Sequence, residues 1–129
     1  MDIQPPVHGL EYTVIFARRM KAMREFYGET LGLPVYHDLA PQWVEYRVGS
    51  TLLALTEERW IVDDFPPSIE SISQQLAFRV LPSEVDRCAA VLTERGVTIA
   101  LAPGNEPWGH KTVFFRDPDG NVLGIYAGR

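Results

Sequence analysis

The chain has 129 residues, 46% of them apolar and 22% charged, a balance that supports one packed core and excludes a fibrous repeat or a disordered tail. Its net charge of −5 opposes binding to a phosphate backbone, which depends on neutralisation by Lys and Arg.

The opening residues, Met1 to Val7, contain no basic stretch followed by an apolar one, and no later segment reaches the ~20 apolar residues of a membrane span. A soluble, cytoplasmic protein is expected, with neither a membrane nor nucleic acid as partner. Leu10 to Ala17 is rich in β-branched and aromatic residues and reads as a strand. Met20, Met23, Phe26, Tyr27 and Leu31 follow at helical spacing, closed by Gly32. Arg18, Arg19, Lys21 and Arg24 crowd the start of that helix, where positive charge opposes the helix dipole. Glu residues of the same helix or a dimer interface are the expected relief, with a solvated face as the plain reading and an anionic partner as the other. Pro34 to Asp38, Gln42 to Val48 and Thr51 to Thr56 are three short strands, broken by Ala40-Pro41 and Gly49-Ser50. The order is βαβββ.

Glu57 to Ser73 is long for a connection, and its Trp60, Ile61, Val62 and Phe65 are apolar. They pack over the core edge, meet a second subunit or cover a ligand. The first order of elements then recurs. Gln74 to Val80 reads as a strand, and Ser83 to Arg95 as a helix with Val85, Cys88, Ala89 and Leu92 on one face. Ser83 is the expected N-cap, with Asp86 in the first turn and Gly96 past the C-terminus. Cys88, the one cysteine, excludes an internal disulfide and fits a reducing compartment. Val97 to Leu101, His110 to Arg116 and Val122 to Ala127 are the last three strands, and Asp117-Pro-Asp-Gly-Asn121 is the turn between the final two. Leu31-Gly-Leu-Pro-Val35 matches Arg95-Gly-Val-Thr-Ile99, and Gly49 to Leu55 matches Gly120 to Ile125 with one insertion. A duplicated module accounts for this: one α+β domain with module one over about 8–57, a linker over 58–73 and module two over about 74–127.

Phe26-Tyr27-x-x-x-Leu31-Gly32 together with Arg116-Asp-Pro-Asp-Gly-Asn121 resembles the vicinal oxygen chelate superfamily, which includes glyoxalase I, extradiol dioxygenases and bleomycin-resistance proteins. The resemblance spans about Leu10 to Tyr126. It implies two tandem βαβββ modules whose curved, mostly antiparallel sheets surround a cleft, frequently in a homodimer. Metal-binding members carry His, Glu or Gln at one inward position on the first and last strand of each module; here those positions hold Tyr12, Ala54, Gln75 and Gly124. A divalent ion needs several converging nitrogen or oxygen ligands. Ala54 and Gly124 supply none, so no metal and no other cofactor is expected, and both positions are expected to leave open space.

Strand alternation places Tyr12, Val14 and Phe16 with Gln75, Ala77 and Arg79 on the cleft side, and adds Trp43, Glu45, Thr112, Phe114 and His110 by the duplication. The expected ligand-binding set is Tyr12, Phe16, Trp43, Glu45, Gln75, Arg79, Trp108, His110 and Phe114, an aromatic lining for a small organic molecule, cationic or aromatic. Glu45 pairs with a ligand cation, serves as a base, or is solvated or paired with Arg47. Trp108 in Pro107-Trp-Gly-His110, a segment similar to one in the antibiotic-sequestering branch, stacks on a ligand or anchors its turn. His110 donates a proton or is a surface residue. Three functions compete: metal-independent binding in a dimeric cleft; a metal-independent lyase, isomerase or hydrolase with Glu45, Tyr12 or His110 as acid and base; and an interaction module whose cleft is filled by its own side chains.

Overall fold

The computed structural model describes residues 4–57, 75–105 and 111–127. The first module runs β1 (Tyr12–Ala17), α1 (Met20–Glu25) continued by a π-helical turn (Phe26–Thr30), β2 (Val35–Leu39), β3 (Trp43–Val48) and β4 (Thr51–Glu57). The second runs β5 (Gln75–Val80), a 3-10 turn (Pro82–Glu84), α2 (Val85–Glu94), β6 (Ile99–Asn105), β7 (Lys111–Arg116) and β8 (Val122–Ala127). Each module forms a four-stranded sheet, β1-β4-β3-β2 and β5-β8-β7-β6. The outer pairs β1/β4 and β5/β8 are parallel and the rest antiparallel. The repeat extends to backbone conformation. Gly32 and Gly96 follow the two helices with φ of 73° and 86°, and Gly49 and Gly120 turn into β4 and β8 with φ of 58° and 92°. A left-handed residue is needed at the same step of each module, and glycine meets it without a Cβ clash.

Alternation sorts each sheet into two faces. Ala17, Val44, Tyr46, Leu53 and Leu55 of the first sheet, with Val113, Phe115, Leu123, Ile125 and Ala127 of the second, join the buried helix residues Met23, Phe26, Tyr27, Val85, Ala89 and Leu92 in one cluster. Phe26 meets Phe115 across the modules with ring centroids 6.3 Å apart.

The two sequence motifs meet at this junction. The Tyr27 hydroxyl donates to Asp117 at 2.8 Å, and Asp117 also accepts from the backbone N–H groups of Asp119 and Asn121 and from Asn121 Nδ2. Asp119 accepts from the N–H groups of Arg18 at 2.7 Å and Arg19 at 3.2 Å, just before α1. Asp117 and Asp119 are 5% and 8% exposed, and the cost of burying the carboxylates is offset by four donors at Asp117, one of them a hydroxyl, and two backbone N–H groups at Asp119. Burial first, and the charge of Asp117 second, hold the Tyr27 phenol above its ordinary pKa, so it remains a donor. Asp119 of the second module thus accepts the backbone N–H groups at the start of α1. Arg24 is paired separately, with Asp38 of β2 at 2.6 Å.

Most strand expectations hold, with local corrections. Leu10 lies before β1 and is 77% exposed. Ser83 is not the N-cap: Glu84 accepts the Leu81 N–H at 2.9 Å, and Pro82 opens a 3-10 turn where its missing N–H costs nothing. Val97 is not in a strand, because its N–H closes α2 on Leu92 O at 2.9 Å, and β6 begins at Ile99. The segment carrying Trp60, Ile61, Val62 and Phe65 lies outside the described residues.

Candidate functional site

The sheet faces turned away from the shared core carry the candidate residues. On the first sheet, the ladders align Tyr12, Leu52 and Arg47; then Val14, Ala54, Glu45 and His37; then Phe16, Thr56, Trp43 and Leu39. Partners in register point to the same side, so Tyr12, Phe16, Trp43 and Glu45 share one face. Trp43 is buried, and its indole N–H donates to Glu45 Oε2 at 2.7 Å. Tyr12 approaches Trp43 edge to face, with centroids 5.8 Å apart and planes at 68°. Glu45 is half-buried and does not pair with Arg47, whose guanidinium lies 4.6 Å from the Tyr36 ring centroid. Tyr12 and Glu45 share the face without a hydrogen bond to each other.

On the second sheet, the aligned sets are Gln75, Val122 and Arg116; Ala77, Gly124, Phe114 and Leu101; and Arg79, Tyr126, Thr112 and Gly104. Gln75, Arg79 and Phe114 therefore share the equivalent face, as their alternation requires. Tyr126 fills its centre. Its hydroxyl donates to Gln75 Oε1 at 3.0 Å, and its ring meets Phe114 edge to face at 5.7 Å and 89°. Trp108 and His110 lie outside the described residues.

A hollow of about 610 Å³ lies on the helix side, between α1 and the β2–β3 hairpin. Lys21 and Arg24 line it together with Glu25, Glu29 and Glu57, and this mixture of charges selects no ligand class.

Residues 9–125 match the family model described as the Glyoxalase/Bleomycin resistance protein/Dioxygenase superfamily. The chain belongs to this superfamily. It is 31% identical over 110 residues to the uncharacterized protein YraH of Bacillus subtilis, covering 79% of this chain and 84% of YraH. Its fold is similar to that of lactoylglutathione lyase from Agrobacterium tumefaciens, with a TM-score of 0.78, 22% identity and 96% of each chain covered. It is equally similar to a glyoxalase/dioxygenase from Nostoc punctiforme, with a TM-score of 0.78, 24% identity, and 100% of this chain and 98% of the other covered. At these identities the structural likeness establishes the fold alone.

A glyoxalase-type metal centre does not fit the side chains that stand at its four positions. Ala54 is fully buried and has no donor, while Gln75 accepts the Tyr126 hydroxyl. At Gly124, an added Cβ would stand 2.6 Å from Tyr126 Cε1 and 3.0 Å from Phe114 Cε1. Contrary to the expected open space, aromatic rings occupy the side-chain position of Gly124. Among the described residues, no three His, Cys, Asp or Glu side chains gather as a metal-holding group.

Sequence reasoning missed Tyr126 as a face residue, although its place two residues beyond Gly124 carries that information. It also missed Thr56, which is fully buried with its hydroxyl oxygen unpartnered, in register between Phe16 and Trp43. Strand alternation shows its side, but nothing in the sequence shows that its hydroxyl lacks a partner.

Proposed function

We propose that this chain is a metal-independent binding protein for a small, partly aromatic organic molecule, held against the outward sheet faces in a cleft completed by a second copy. The observation that carries this reading is the chemistry of those faces. Where coordinating members of the superfamily need converging oxygen and nitrogen atoms, this chain has a buried Ala54 and a Gly124 covered by the rings of Tyr126 and Phe114. Around them are Tyr12, Phe16 and Trp43, with few polar groups, the make-up of an organic-ligand pocket. Tyr12 and Phe16 are 38% and 37% exposed, and Leu39 and Leu101 on the same faces are 53% and 55% exposed. Aromatic and apolar surface turned away from the core is what a ligand or a second subunit covers.

A thermal-shift screen of aromatic compounds and antibiotics, run with metal analysis and sedimentation, tests the reading. The expected result is a dimer stabilised by at least one aromatic compound and containing no stoichiometric metal. One equivalent of Zn, Ni, Mn or Fe per chain overturns metal independence. Turnover of a substrate with no ligand-induced stabilisation overturns the binding role.

A further inference from the structure

We propose that Glu45, Trp43 and Tyr12 form a subsite for an organic cation, taking the ammonium or guanidinium group of the ligand. The proposal rests on the binding role above and adds the charge class of what is bound. Glu45 is a half-buried carboxylate on an aromatic face, and among the described residues it has no counter-ion. The ion pairs among the described residues are Arg24 with Asp38 and Lys111 with Asp86. The basic side chain two residues along the same face, Arg47, lies against Tyr36. His37, in register with Glu45 on β2, makes no ion pair with it. The group bonded to Glu45 is the neutral Trp43 indole N–H, at 2.7 Å. A carboxylate has about four acceptor positions; one indole N–H fills one of them and cancels none of the charge.

That bond has two chemical effects. It fixes the rotamer, holding Oε2 against the indole and leaving Oε1 to accept from a ligand. It also makes the indole more electron-rich, because a donor bonded to an anion releases density into its ring; Trp43 itself is buried, and the ring on this face that a cation reaches is Tyr12, 38% exposed. The edge-to-face contact with Tyr12 holds the second ring 5.8 Å away. A cation placed here gains a charge-assisted hydrogen bond and an aromatic contact together. An anion meets the Glu45 charge, and among the described residues of this face the basic groups are Arg47, which is already engaged, and His37, which makes no ion pair with Glu45. Arg79 and Arg116 belong to the face of the other sheet.

Three probes of similar shape separate charge from size on the full chain: phenethylamine as the cation, 2-phenylethanol as the neutral form and 3-phenylpropionate as the anion. Calorimetric titration and the Trp43 indole N–H resonance report binding. Phenethylamine is expected to bind roughly tenfold more tightly than the alcohol and to shift that resonance, a difference of about 1.4 kcal/mol. Glu45→Gln keeps an oxygen for the indole N–H and is expected to bring the amine and the alcohol within about twofold of each other. Glu94→Gln removes the same charge from α2 and is expected to leave the preference intact. Equal binding of amine and alcohol by the unmodified protein, or an equal loss in both variants, overturns the cation assignment and leaves the binding role standing. Failure of all three probes to bind overturns the assignment, and the binding role falls only if the broader aromatic screen also fails.

Discussion

At Gly124 a single hydrogen atom permits an aromatic arrangement that any larger side chain would break. The Tyr126 ring lies over the glycine, with its hydroxyl on Gln75 and its edge against Phe114. Gly124→Ala is expected to lower stability by about 1–3 kcal/mol in urea unfolding, the range for overpacking a filled site. Adding Tyr126→Ala to that variant should remove most of the further loss, because the clash and the lost ring contacts share one site. An unchanged unfolding midpoint for Gly124→Ala would show that the ring swings away freely. The sequence does place Tyr126 and Gly124 on one face by alternation. It does not show that Tyr126 leans back along its strand over Gly124, because that direction is set by Phe114 and Gln75 on neighbouring strands. Glu45 illustrates the same limit. Trp43 and Arg47 are each two residues away on its face, and the position of Tyr36 on β2 decides that Arg47 turns aside.

At the level of elements, α1 begins with basic residues and no acidic residue in its first turn. An isolated peptide of this sequence would begin its helix poorly. In the folded chain Asp119 stands before the helix and accepts two backbone N–H groups. Asp119→Ala is expected to cost about 1–2 kcal/mol, since it leaves two part-buried backbone donors without their acceptor. Asp119→Asn, which retains an acceptor oxygen, should cost less. Thermal unfolding of both variants checks the order, and equal losses would mean that the charge and not the hydrogen bonds is what matters. By contrast, the end of α2 was legible locally in Gly96, which takes a positive φ, although the bond of Val97 back to Leu92 was not. Its beginning was not, because Ser83 and Glu84 compete for the same turn and the Glu84 side chain makes the bond.

Across the whole molecule, Tyr27 and Asp117 join the modules, and their bond carries a pH signature. The Tyr27 pKa is raised in the folded state, mainly by burial and next by Asp117. Below the unfolded tyrosine value of about 10, both states keep the proton and its contribution to stability is complete. As pH rises above about 10, the unfolded chain releases the proton and the folded chain does not. Stability should therefore fall by up to about 1.4 kcal/mol per pH unit from this group alone. Urea unfolding between about pH 8 and 11 should give a shallower decline for Tyr27→Phe than for the unmodified protein, and parallel slopes would remove Tyr27 from the account. Tyr46, also raised by burial, contributes to both curves and does not obscure the difference. From the sequence by itself come the two βαβββ modules, the two faces of each sheet and the absence of ligating side chains at Ala54 and Gly124. All of these rest on periods of two and 3.6 residues, on glycine and on residue type, which are local properties. The tertiary structure alone decided that Asp119 answers the start of α1, that Tyr27 meets Asp117, and that Tyr126 covers Gly124. The first two join residues separated by 101 and 90 positions, and all three depend on how separate strands and helices are brought together, which no local pattern encodes.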